Sequence, residues 1–472
     1  MPLSSAPAPE SPEIARVQRS YRMFVDGKFR DGSGGPGTTI NPATEEVLAA
    51  VSPASPADVD AAVRAARRAY DRVWSRMPGA ERAKYLLRVA RLIQDRAREL
   101  AVLECLNSGM PIRECRDTHL PAVAAQFFYH AGWADKLGYA GHGADPRPLG
   151  VAGQVISCDL PLVTAAGTVA PALACGNTVV LKPADTTPLT ALVLAEICQQ
   201  AELPPGVLNV LPGMAEIGAA LAGHDGLNTV TFTGSTAVGK RVQHTLAGTG
   251  RRLTLALGSP ATTVVFDDAP FDQAVDGIVC GAFGSGGAGT RMLVQESIAE
   301  QLLAALRVRV AGLRIGDPLD KNTDVGALRS GRRLTRIREL ADSAEGDGAQ
   351  RWTSPCQLPG HGFFLPPTVF AEVSQTMRIA REEITGPVLP VLTFGRPEEA
   401  VAKANNMPAS RAAGIWTEKG SRIRWAAQRV HAGVAWANAV NRLDPTAAAG
   451  GYRESGLGVH GGRAGLAAYL DV

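Results

Sequence analysis

The stretch NTVVLKPADTTPLTALVLAEICQQ, residues 177–200, joins a short β-branched run to a helical segment through a Lys-Pro-Ala-Asp turn. Three more short β-branched runs flank it: VAGQVIS from Val151, VLNVLPG from Val207 and NTVTFTGS from Asn228, the last also leading into a helix. Strands separated by helices of this length cannot pair as hairpins, so they are expected to form a parallel sheet with helices on both faces. A second series runs through TTVVFDDA (262–269), MLVQ (292–295), PPTVF, PVLPVLTF, AGIWT and GVAWAN. The fold class is therefore α/β, with a Rossmann-type dinucleotide-binding half and a second α/β half, and the boundary falls near Leu257.

Outward from this core, Ser55-Pro56-Ala57-Asp58 offers an N-cap serine, proline at the first helical position and an acid at the third. Val59, Ala62, Val63, Ala66 and Tyr70 then share one helical face, with arginines opposite. Further helical stretches are expected at about 78–108 and 117–137. Residues 21–53 read as turn-rich. The first 20 residues, rich in Pro, Ser and Ala at the start, read as a flexible arm.

The 472-residue chain is 45% hydrophobic, enough for two or three folding units. A net charge of +3 with 20% charged residues gives no concentrated basic stripe, so nucleic acid is not an expected partner, and the excess of arginine over lysine marks no binding surface. No apolar run approaches a membrane span and no secretory signal is present, so a cytoplasmic location without membrane association is expected. The seven cysteines are scattered without a CxxC pair and the eight histidines lack ligand spacing, so neither metal nor disulfide is expected.

Two motifs suggest a nucleotide. In Thr233-Gly234-Ser235-Thr236-Ala237-Val238-Gly239 small residues end a strand and open a helix, exposing free N–H groups and the positive dipole end to a phosphate. Alone this is better explained by a tight strand-to-helix turn. Lys182 and Asp185, at the end of a neighbouring strand, could hold ribose hydroxyls, since open parallel sheets bind ligands beyond their carboxyl ends.

The collinear segments FVDGKF (24), INPATEEV (40), PALACGNTVVLKPADTTPLTAL (171), FTGSTAVGK (232), AGTRMLVQESI (288), EEITGPVLPV (382) and GGYRESG (450) resemble the NAD(P)-dependent aldehyde dehydrogenase superfamily. The ending RESGLGVHGGRAGLAAYL, preceded by Asp444-Pro445, is similar to the divergent family sixteen, in which some members lack the catalytic cysteine. The resemblance implies a NAD-binding-type domain (21–138 and 149–257), a catalytic-type domain (258–457) and oligomerisation elements, here reduced, at 139–148 and 458–472. It also implies a cysteine nucleophile, an asparagine oxyanion donor and a glutamate base.

Each of those roles falls on an unsuitable residue. The nucleophile's position holds Gly286, between Ser285 and Gly287; the base's holds Ala256; the oxyanion donor's holds Asp159, which donates nothing when ionised and is expected to repel developing negative charge. Gly167-Thr168 stands where a tryptophan and a lysine are usual, and His460 where a glutamate is expected. Lys182, Asp185, Gly234, Ser235 and Glu383 match cofactor-binding positions, but Cys158 replaces a tryptophan near the phosphates and Thr385 a phenylalanine near the nicotinamide. NAD or NADP binding is therefore expected to be weak or lost.

The resulting expectation is a catalytically inactive homologue, a structural or regulatory partner of an active aldehyde dehydrogenase. The reduced assembly elements and the ending at Val472 suggest a homodimer, or a heteromer with an active paralogue, rather than the family's tetramer. A plain NAD-binding sensor is a variant of this reading. The alternative is an active NAD(P)-dependent oxidoreductase working through Ser285, Cys280 or Cys158. Ser285 lacks an evident activating base, Cys280 reads as core, and Cys158 is disfavoured by the adjacent Asp159.

Overall fold

The computed structural model describes residues 6–143, 145–284 and 291–471. Five strands form the parallel heart of an eight-stranded sheet, in the spatial order Arg252–Leu257, Thr229–Gly234, Val151–Val155, Thr178–Lys182, Leu208–Val210. Val151–Val155 and Thr178–Lys182 are buried at every position, as strands covered on both faces must be. Alternate residues feed two cores: Val179 and Leu181 pack with Ala170 and Leu192 on one face, while Val180, Val151 and Phe232 pack with Val59 and Val63 on the other. Chain order reverses between Val151–Val155 and Thr229–Gly234, which leaves a crevice beyond their carboxyl ends, the place where open α/β sheets take ligands.

All six runs of the second series are strands. They join Gln350–Thr353 in a seven-stranded sheet that is parallel except at that edge. Val264, Leu293 and Ile415 face one core; Val265, Met292, Val294 and Trp416 face the other.

The capping box at Ser55 forms as read: its Oγ accepts from the Asp58 amide at 3.3 Å and the Asp58 carboxylate accepts from the Ser55 amide at 2.9 Å, opening the helix Pro56–Ala69. Other details differ from expectation. The stretch at 78–108 is two helices, Gly79–Asp95 and Ala97–Ser108, broken where Arg96 leaves helical geometry at φ −100° and ψ 13°. The next helix closes at Ala131 rather than 137. Residues 21–53 contain strands: Met23–Val25 and Lys28–Arg30 form a hairpin on the edge of the first sheet, and Gly37–Ile40 pairs with Val47–Val51.

Of the segment expected to be a flexible arm, the described residues 6–20 are seated on the protein. The Glu10 amide donates to the Leu319 carbonyl at 2.9 Å, and its carboxylate, 7% exposed, meets Arg98 and Lys321. Apolar contacts join these ionic ties: Ala15 is buried in the first core, and Ile14 and Val17 pack against it. The segments 139–148 and 458–472 meet: Arg147–Pro148 pairs antiparallel with Leu470–Asp471. Among the described residues no helix is long and apolar enough to cross a membrane, and no cluster of His, Cys, Asp or Glu could hold a metal.

Candidate functional site

A groove of about 2990 Å³ runs beyond the carboxyl ends of the first sheet, lined also by the second half of the chain. Lys182 ends its strand with only 5% of its surface exposed. Burial pulls its ammonium below the usual range, and Asp185 and Glu216 partly restore it. Ser235 is the N-cap of the helix Thr236–Leu246, but its side chain makes no capping bond, so the first-turn amides stay available to a ligand. Gly234 precedes it, where a Cβ would lie 2.6 Å from the Phe232 ring. Lys182, Asp185, Gly234 and Ser235 thus line one groove. A buried ammonium, a carboxylate and an uncapped helix start fit an adenosine diphosphate unit.

At the other end, the loop after Val151–Val155 carries Ser157, Cys158 and Asp159 into the groove and turns through Leu160, held left-handed at φ 48°, before the helix Pro161–Ala174. Such a backbone is costly for leucine and persists only where its surroundings impose it. Asp159 is paired with two guanidiniums, which offset its charge in part, although that charge still acts on Glu383. Arg333 Nη1 lies 2.8 Å and Arg329 Nη1 3.0 Å from its Oδ1. Burial alone would raise the carboxyl; the two guanidiniums outweigh burial and hold it well below the usual range. Arg333 Nη2 also reaches the Cys158 sulfur at 3.5 Å, so this thiol faces a cation as well as the neighbouring carboxylate.

Glu383 lies against Gly258, where any Cβ would collide with its carboxylate. Burial, reinforced by the Asp159 charge and opposed by Arg411 and Arg333, pushes the Glu383 carboxyl up to about 7. Ala256 pairs with Thr233 in the sheet and presents a methyl group to the groove. His460 sets Nε2 at 3.3 Å from the Leu255 carbonyl, and burial keeps it below its ordinary pKa. Gly167, Thr168 and Thr385 also line the groove. Cys280 corrects its expected place in the core: it sits on the helix Phe271–Phe283 but is exposed to the groove. Desolvation still raises its thiol, which disfavours attack. Gly286 and Ser285 lie outside the described residues.

Among the groove residues not singled out in the sequence are Arg329, Arg333 and Arg411. Arg329 and Arg333 flank Ser330, which caps the helix Gly331–Gly346 by accepting from the Arg333 amide at 3.3 Å. Arg411 is held by its own amide, which donates to Ser259 Oγ at 2.8 Å. The sequence signal was local, the arginine-dense run ALRSGRRLTR from Ala327, but its convergence on Asp159 was not visible there.

The sequence profile of the aldehyde dehydrogenase family matches residues 29–472. The putative aldehyde dehydrogenase DhaS of Bacillus subtilis is 36% identical over 97% of this chain and 95% of its own length. Human retinal dehydrogenase 2 is 37% identical over 96% of this chain and 90% of its own length. Among solved structures, the NAD+ complex of a Bacillus cereus aldehyde dehydrogenase superposes with a TM-score of 0.93 at 34% identity, covering 99% of this chain and 98% of that one. The NAD-dependent aldehyde dehydrogenase of Sinorhizobium meliloti gives 0.93 at 36% identity, over 98% and 96%.

Proposed function

Because the chain belongs to the aldehyde dehydrogenase family, we propose that it is a noncatalytic member, a structural or regulatory partner of an active aldehyde dehydrogenase that retains at most weak NAD or NADP binding. The observation that carries this reading is the chemistry of two side chains. Residue 286, at the nucleophile's position, is glycine, and residue 256, at the base's position, is an alanine whose methyl lines the groove. Neither a covalent acyl intermediate nor its hydrolysis by the usual base can be built from them.

A dinucleotide, when bound, supplies a hydride acceptor. Lys182, Asp185 and the helix start at Ser235 would hold its adenosine and phosphates. The far end fits its oxidised ring poorly: three arginines face two acids, one of them held near neutrality, so the local field opposes the cationic nicotinamide. This supports weak binding. A homodimer, or a heteromer with an active paralogue, accords with the short segment between Tyr139 and Pro148.

A second reading, an oxidoreductase using other residues, is favoured by Cys158, whose sulfur Arg333 touches, and by Glu383, poised to exchange a proton near pH 7. Spectrophotometric assay of NADH formation across aliphatic, aromatic and amino aldehydes separates the two. The proposal predicts no turnover by the unmodified chain and partial gain in Gly286→Cys/Ala256→Glu; turnover by the unmodified chain that is lost in Cys158→Ala establishes the second reading instead. Copurification with a paralogue from the native cell tests the partner role.

A further inference from the structure

The end of the groove that lacks the family's reactive groups holds more positive charge than the protein consumes. Arg329 and Arg333 converge on one carboxylate, Asp159. Arg411 is exposed in the groove, and no carboxylate lies within ion-pair distance of it among the described residues. The Arg329 side chain is only 9% exposed, and its Nε and Nη2 are buried without an acceptor among the described residues. Buried donors left unmade are costly, and folded proteins resolve such groups with water or a bound ion. Glu383 is no substitute: its carboxylate is turned onto Gly258 and burial disfavours its ionised form. The positive end of the sixteen-residue helix Gly331–Gly346 adds the same sign between Arg329 and Arg333.

We propose that Arg329, Arg333 and Arg411 form a binding site for a small organic oxyanion, a carboxylate or phosphate monoester, at the end of the groove that catalysis would otherwise occupy. Planar guanidinium forks suit both anions, and their field would draw one in along an open groove. Asp159 is the internal competitor: it keeps two of the three guanidiniums extended into the site and limits how tightly a second anion can bind. The inference goes beyond the noncatalytic reading and does not depend on it, because it concerns binding without nucleotide or turnover.

Calorimetry on the full chain without nucleotide, at low salt and pH 6.5, tests it with inorganic phosphate, malonate and the neutral malonamide as probes. Binding of phosphate or malonate near one per chain, with none by malonamide, is expected; the preferred probe tells phosphate from carboxylate ligands. Arg411→Leu, at an exposed position that leaves the fold intact, should weaken binding about tenfold or more, as loss of a charge-assisted contact does. Arg424→Leu, on the exposed face of the helix Gly420–Ala427 outside the groove, should not. Asp159→Asn should tighten binding; where that variant fails to fold, Arg411→Leu decides alone. Failure of both anions to bind, equal binding of malonamide, or affinity unchanged in Arg411→Leu overturns the proposal. None of these outcomes reads catalysis, so the noncatalytic reading stands or falls separately.

Discussion

Replacing Glu383 by glutamine should make the protein more stable at alkaline pH and nearly indifferent at acid pH. Glu383 is faced by Asp159, Arg333 and Arg411, and burial is the largest influence on it, raising its carboxyl from the ordinary 4.5 to about 7. The folded state therefore holds this proton more tightly than the unfolded chain. Below the unfolded value both states are protonated and nothing is lost. As pH climbs from about 4.5 through 7 the native carboxyl must ionise in a site that disfavours the charge, and stability falls, levelling above 7. At 1.36 kcal/mol per pKa unit the loss amounts to about 3 kcal/mol by pH 8.5. Glutamine has nearly the same shape and no charge, so Glu383→Gln should recover most of that, a rise of a few degrees in thermal midpoint at pH 8.5 and almost none at pH 5. Thermal melts of both proteins at half-unit pH intervals read the difference directly. A gap independent of pH, or a variant less stable at pH 8.5, would refute the burial argument.

Two other outcomes follow from the geometry. Ser55→Ala removes the acceptor for the Asp58 amide and should cost about 1 kcal/mol, seen as a lower thermal midpoint with unchanged nucleotide affinity. ADP-ribose, which keeps the groups that Lys182, Asp185 and the Ser235 helix start can hold and lacks the cationic ring, should bind at least as tightly as NAD+ in calorimetry; a clear preference for NAD+ would show that the arginine end accepts nicotinamide.

Most of the architecture was legible because a parallel sheet buried on both faces leaves little choice of residue. NTVVLKP and its counterparts are β-branched runs for that reason, and each became a strand. The Ser55 cap was legible because all its parts lie within four residues. The hairpin at Met23–Arg30 was missed although FVDGKF carries its signature: Asp26 and Gly27, at φ 55° and 76°, form the two-residue turn between Val25 and Lys28. The docking of the N-terminal segment was missed because it depends on Arg98 and Lys321, far away in the chain. The site divides in the same way. The residue types at 159 and 256 can be read from the sequence, but what surrounds them cannot. Arg333 meets Asp159 across 174 positions of sequence, and no local pattern shows that this acid is outnumbered by arginines.

Intact-mass spectrometry of the unaltered chain, after incubation with an aldehyde and NAD+ and rapid acid quench, bears most directly on the absence of a nucleophile. The account predicts a spectrum with no acyl adduct at any aldehyde concentration. A stoichiometric mass increase equal to the acyl group, mapped to a single residue of the groove, would contradict it.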